Sequence, residues 1–188
     1  MQSARFIGAV GCATALAVAA GGAQAHIVFD QPQGRAGAYH AAALRVGHGC
    51  GTSPTVAVRV TIPAGVDTAR PQPKPGWLLE VEREPLARAV QAEGGQAQTE
   101  RVTAVTWRGR LAADQFDAFG LLLKLPKADG VLVFPVVQTC EAGERRWTET
   151  APAGKPWGSV PNPAPVLRVG GAPAEPASSG PGGEDHRH

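Results

Sequence analysis

The segment AHIVFDQP places His26 directly behind Ala23-Gln24-Ala25, the small-x-small pattern that signal peptidase accepts. Cleavage between Ala25 and His26 would make His26 the first residue of the working protein. A leading His offers two nitrogens to one ion, the α-amine and the ring Nδ1, and together they close a six-membered chelate that no internal His can form. Cu(II) prefers a tetragonal set of N and O donors and tops the divalent affinity series. The amine must first lose its proton, but α-amines titrate at roughly 7.7 to 8.0, so the penalty near neutral pH is small. A leading His followed by a strand is thus half of a copper site.

Further donors must come from elsewhere in the chain. His48 lies in Gly47-His48-Gly49-Cys50-Gly51, where neither neighbour offers it an apolar wall, so it reads as a functional or turn residue rather than core. His40 alternates with Leu44 and Val46 and reads as a partly buried strand residue. His186 and His188 sit near the end of a Pro- and Gly-rich segment, where a solvated tail is the default and loose metal capture the alternative. Trp147 stands among charges in ERRWTE; such a ring either shields a site or packs between strands while its neighbours face water. Trp77 and Trp107 read as lids on the core.

The other thiols point to redox compartment rather than to metal. With Cys12 removed in the leader, Cys50 and Cys140 remain, and an exported pair in an oxidising compartment is most simply a disulfide. A thiolate metal site is the weaker reading, because the two are far apart and no C-x-x-C occurs. A lipoprotein cut ahead of Cys12 is disfavoured, since it would leave almost no apolar run before it. The only methionine is Met1, so the exported chain has no thioether, and with both cysteines oxidised it has no soft donor for Cu(I).

The elements that must hold these residues are strands. Arg5 followed by the apolar run at 6–20 reads as a leader too short to span a membrane, and its removal leaves 188 − 25 = 163 residues, one domain's worth. The charge of +2 comes from scattered Lys and Arg without a basic run, which argues against a nucleic-acid partner. Period-two alternation is clearest at 54–63, where Val56, Val58, Val60 and Ile62 fall on one face. Similar strands are expected at 26–29, 39–46, 77–82, 99–107, 118–125, 131–139 and 145–150. Residues 131–134, apolar on both faces, read as central, with Pro135 marking a bulge or an edge. Residues 85–98, polar and broken by Gly, read as a connection. The expected architecture is an all-β antiparallel sandwich, Ig-like, over 26–152, followed by a disordered tail at 153–188.

Five pieces in order, AHIVFDQP, VGHGCGTSPTVAVRVTIPAGV, PQPKPGW, QFDAFG and FPVVQTCEAGERRWTET, resemble the YcnI-like exported domains, a family associated with copper. The resemblance covers 26–152. It implies a β-sandwich that binds one Cu(II) through a single-histidine brace, with a carboxylate added in some members and a Trp close to the metal. Carried onto this chain, the leading His is His26 and the Trp is Trp147. Members without the cysteine pair have an acidic residue where this chain reads GHGC, which makes His48 the substitute third ligand and leaves Glu80, Glu141 and Glu149 as acidic alternatives. The family's company implies periplasmic copper delivery or storage alongside copper carriers or a membrane copper transporter, without catalysis. Two other functions compete: a copper oxidase resembling the lytic polysaccharide monooxygenases, and a metal-free Ig-like interaction module.

Overall fold

The structure, a computed structural model, describes residues 26–91 and 94–171. The leader with Cys12 and the segment with His186 and His188 lie outside the described residues. Three sheets account for the strands. β1 (Val28–Phe29), β3 (Tyr39–Val46), β8 (Asp117–Lys124) and β5 (Ala69–Pro71) form one, in the order β1-β3-β8-β5. β11 (Glu144–Trp147), β10 (Val136–Cys140), β4 (Thr55–Thr61), β7 (Ala97–Leu111) and β6 (Leu78–Gln91) form the second, in that order. β2 (Gln33–Gly34), β12 (Val166–Val169) and β9 (Gly130–Val133) form the third, where β2 and β12 are the one parallel pair among the described strands.

The alternation read in the sequence is what packs these sheets. Val58, Val60 and Ile62 are fully buried, whereas Arg59 and Thr61 between them stay half-exposed. The first two sheets face each other across a shared apolar layer, in which the Phe119 ring of β8 meets Trp107 of β7 at 5.4 Å and Trp77 at 4.9 Å. Phe29 meets Phe134 edge-on at 4.9 Å and ties β1 to the start of β10. Burying Trp107 strands no donor, because its Nε1 donates to the Gln72 carbonyl at 3.0 Å. The chain is therefore an all-β, immunoglobulin-like sandwich.

Three expectations need correction. Most of 85–98 is not a connection: β6 runs on to Gln91 and β7 begins at Ala97, and the two pair Glu84 with Arg101 and Val90 with Gln98. This ribbon is exposed on both faces, so it carries no burial-driven alternation to reveal it. Residues 131–134 are not central: β9 is an edge strand, with Val131 52 % exposed. After β9 the chain passes at Pro135 from the third sheet to the second: the Phe134 N–H donates to the Pro165 carbonyl, and the Pro135 carbonyl accepts from the Thr61 N–H. The folded domain also does not stop at 152. Leu167 is fully buried on β12, and residues 153–171 return across the sandwich to pair with β9 and β2. Their Pro and Gly content hid one short alternating strand, Val166-Leu167-Arg168-Val169, which suffices to anchor the segment.

Candidate metal centre

Ile27 is buried at 1 % exposure and fixes the first strand in the core, so His26 emerges half-buried at the rim of the sandwich. Its imidazole lies edge-to-face against two indoles. Trp147 stands 5.8 Å away between centroids with planes at 85°, and Trp157 stands 5.3 Å away at 76°. Each such contact is worth about 0.5–1.5 kcal/mol beyond area burial. Among the described residues the ring nitrogens of His26 make no hydrogen bond, so both remain open to another donor or to a metal.

Trp147 packs between strands, the second of the two readings open to it, and its ring also meets His26. It is 1 % exposed between strands, opposite Val136, and it also forms a wall against His26. Its position is fixed by a buried polar network. The Trp147 Nε1–H donates to Gln138 Oε1 at 3.1 Å, and the Gln138 amide donates in turn to Thr55 Oγ1 at 2.8 Å and to the His48 carbonyl at 2.7 Å. Thr55 reaches this position because the β4 register shifts between Thr55 and Ala57, which buries Thr55 instead of Val56.

His48 is thus joined to Trp147 through one side chain. His26 lies two residues before Val28, which pairs with Arg45 on β3, the strand that runs into the His48 loop. The loop carrying His48 is stapled at its far side by the Cys50–Cys140 disulfide, whose Cα atoms are 6.1 Å apart. Gly49 is required there, because a Cβ would fall 2.2 Å from the Ser53 carbonyl oxygen. The His48 Nδ1 faces the Gly49 carbonyl, which leaves Nε2 as its open nitrogen.

The acidic alternatives separate. Glu80 lies on β6, four strand spacings or about 19 Å from β11, and is paired with Arg108 at 2.8 Å. Glu141 follows β10, about 16 Å along the strand from the Val136–Trp147 pair, and holds Arg110 at 2.9 Å. Glu149 stands two residues from Trp147, but its Oε1 accepts from Asn162 Nδ2 at 3.1 Å. Among the described residues no three His, Cys, Asp or Glu side chains converge as a ready metal cluster. A cavity of about 750 Å³ beside Tyr39, Asp67 and Lys124 is lined by none of these residues.

Of the donors that the sequence offered, the His26 ring at the rim is the one whose nitrogens would suit a metal that prefers N donors, and a free His26 amine would add a second nitrogen on the same residue. Sequence reasoning missed two residues of this site. Trp157 lay in a segment read as tail. Gln138 was signalled only by a polar residue on the inward face of β10, between Val136 and Cys140.

A family model described as a domain of unknown function, DUF1775, matches residues 26–169. The chain belongs to the DUF1775 family. YcnI-like domains are this family, so the resemblance read in the sequence holds, and the match ends on β12 rather than at 152. A protein from Nocardia farcinica, described as uncharacterised with an immunoglobulin-like fold, is 29 % identical, with 77 % of this chain and 97 % of that one covered and a TM-score of 0.58. A protein from Corynebacterium diphtheriae described as a putative membrane anchored protein is 10 % identical, with 80 % of this chain and 35 % of that one covered; its TM-score of 0.36 is too loose to bear on this DUF1775 domain. Among curated proteins none matches. No helix among the described residues is long and apolar enough to cross a membrane.

Proposed function

We propose that this DUF1775 domain is an exported Cu(II)-binding protein that delivers or stores copper. His26 holds the ion through its α-amine and Nδ1 after cleavage behind Ala25. The observation that carries this reading is the His26 imidazole, its nitrogens unbonded, set against the buried Trp147 at the rim of the fold. A disulfide between the two cysteines of the exported chain accords with an oxidising compartment and leaves nitrogen and oxygen donors, the set suited to Cu(II). His48 Nε2 is the third donor of choice, since its loop meets the same network that holds Trp147. Binding, not catalysis, is the proposed role, and periplasmic copper carriers or a membrane copper transporter are the partners that fit it. When bound, the copper would supply a cargo site; the chain's own residues orient the His26 ring and shield one side of it.

The test joins terminus and metal. Mass spectrometry of the exported protein should give His26 as its first residue, and titration should give one Cu(II) per chain. Both His26→Ala and a single Ala placed ahead of His26 should abolish tight binding, because each destroys the chelate. Unchanged affinity in the Ala-extended protein would sink the proposal.

A further inference from the structure

The segment between Trp147 and β12 is a closed loop. Residues 150–163 leave and return at one base, where the Glu149 N–H donates to Asn162, the Ala164 N–H donates to Glu149, and the Glu149 carboxylate accepts from the Asn162 amide. Ends held together around a compact excursion of this length define an Ω-type loop, a form that frequently carries function. Most of it is exposed: Pro152, Ala153, Gly154, Lys155, Pro156 and Gly158 all face solvent. The large side chain it turns inward is Trp157, carried on the short 3-10 turn Trp157–Ser159. That ring is fixed in orientation, because its Nε1 donates to the Ala164 carbonyl at 2.7 Å, next to the base of the loop.

We infer that the 150–163 loop is a strap over the metal-binding histidine and that Trp157 is a positioning residue, which sets the His26 imidazole and slows the escape of bound copper. The inference rests on the copper reading for its second half only; the orientation of the ring is a property of the metal-free chain. Trp157 borders the shallow pocket along the β9–β12 edge together with Val131 and Val133. The same indole also stands 5.3 Å from the His26 ring, nearer than Trp147 does, so the loop ties that edge to the histidine. The two indoles reach the ring from different parts of the chain: Trp147 on β11 precedes the strap, and Trp157 lies in its middle. Opening the strap would remove one wall of the site and leave the other in the core.

The experiment has a metal-free arm and a copper arm, both on the protein that begins at His26. In the first, the carbon-bound ring protons of His26 are followed by NMR in parent, Trp157→Phe and Trp157→Leu. Ring-current shielding from an indole at this distance should vanish in Trp157→Leu and survive in part in Trp157→Phe. In the second, Cu(II) loaded on each protein is transferred to an excess of chelator. Release should quicken about tenfold in Trp157→Leu, the loss of one aromatic contact of about 1.4 kcal/mol, and less in Trp157→Phe. As a control, Asn162→Ala loosens the base while keeping the ring, and should quicken release without abolishing the shielding. Leu fills volume, so a matching melting curve separates positioning from misfolding. Unmoved His26 resonances in a folded Trp157→Leu protein would overturn the inference, and so would moved resonances with unchanged release. A parent that binds no copper at all would refute the proposed function while the NMR arm still decides whether Trp157 sets the ring.

Discussion

Two polar systems lie on the five-stranded sheet, and they differ in what they hold. On the β4–β7–β6 side, Arg59 pairs with Glu82, Arg108 with Glu80 and Arg101 with Glu84, all with at least one partner about half exposed. On the β10–β11 side, Gln138 bonds Trp147, Thr55 and the His48 carbonyl with no formal charge, and the Gln138 and Thr55 side chains are buried. The charged system is the larger and the weaker. Exposed ion pairs contribute roughly 0–1 kcal/mol each, because water and salt screen them and two long side chains must be ordered. A buried amide with three partners is another matter, since each group orphaned by its removal costs about 1–3 kcal/mol of unrelieved desolvation. The candidate centre is therefore held by neutral hydrogen bonds and rings. The charges mark the part of the sheet that faces water.

Three experiments test that contrast, in order of expected effect. Replacing both Cys50 and Cys140 with Ser should lower the free energy of unfolding by about 4–5 kcal/mol, since the bond closes a loop across 90 residues of sequence separation. Chemical denaturation measures this, and the same variant should loosen the His48 loop that Gln138 ties to Trp147. Gln138→Leu keeps the volume but orphans the Trp147 Nε1–H and the His48 carbonyl, and should cost about 2–3 kcal/mol with a shift in Trp147 fluorescence. A loss below about 1 kcal/mol would erase the distinction drawn between the two systems. The Arg59→Ala, Glu82→Ala double-mutant cycle should return a coupling of about 0.2–1 kcal/mol, shrinking as salt is added. A salt-independent coupling above about 2 kcal/mol would mean that this pair behaves as a buried one.

The strands legible in the sequence are those with one wet face and one dry face. The span 39–46 was read with its observed bounds, because its inward Leu44 and Val46 alternate with solvent-facing Arg45. The β6–β7 extension was not legible: a ribbon wet on both sides shows no period, and it forms because each strand supplies the other's hydrogen bonds. The span 131–134 misled for the opposite reason. Its apolar residues suggested burial on two faces, yet it lies at a sheet edge, where its partner β12 comes from a segment whose composition reads as unstructured.

The sequence by itself determined the sandwich and the two cysteines as a pair, and its likeness to the YcnI-like domains led to the family and to a tryptophan beside His26. The first two follow from properties carried by single residues and short spacings: alternation and cysteine count in an exported chain. The tertiary structure alone decided that a second tryptophan, ten residues after the first, closes on the same imidazole. It alone also showed that Gln138 links that site to the His48 loop and that Glu80 lies too far away to take part. Such relations depend on which strands become neighbours. That is settled by burying one common core, and no local run of residues encodes it.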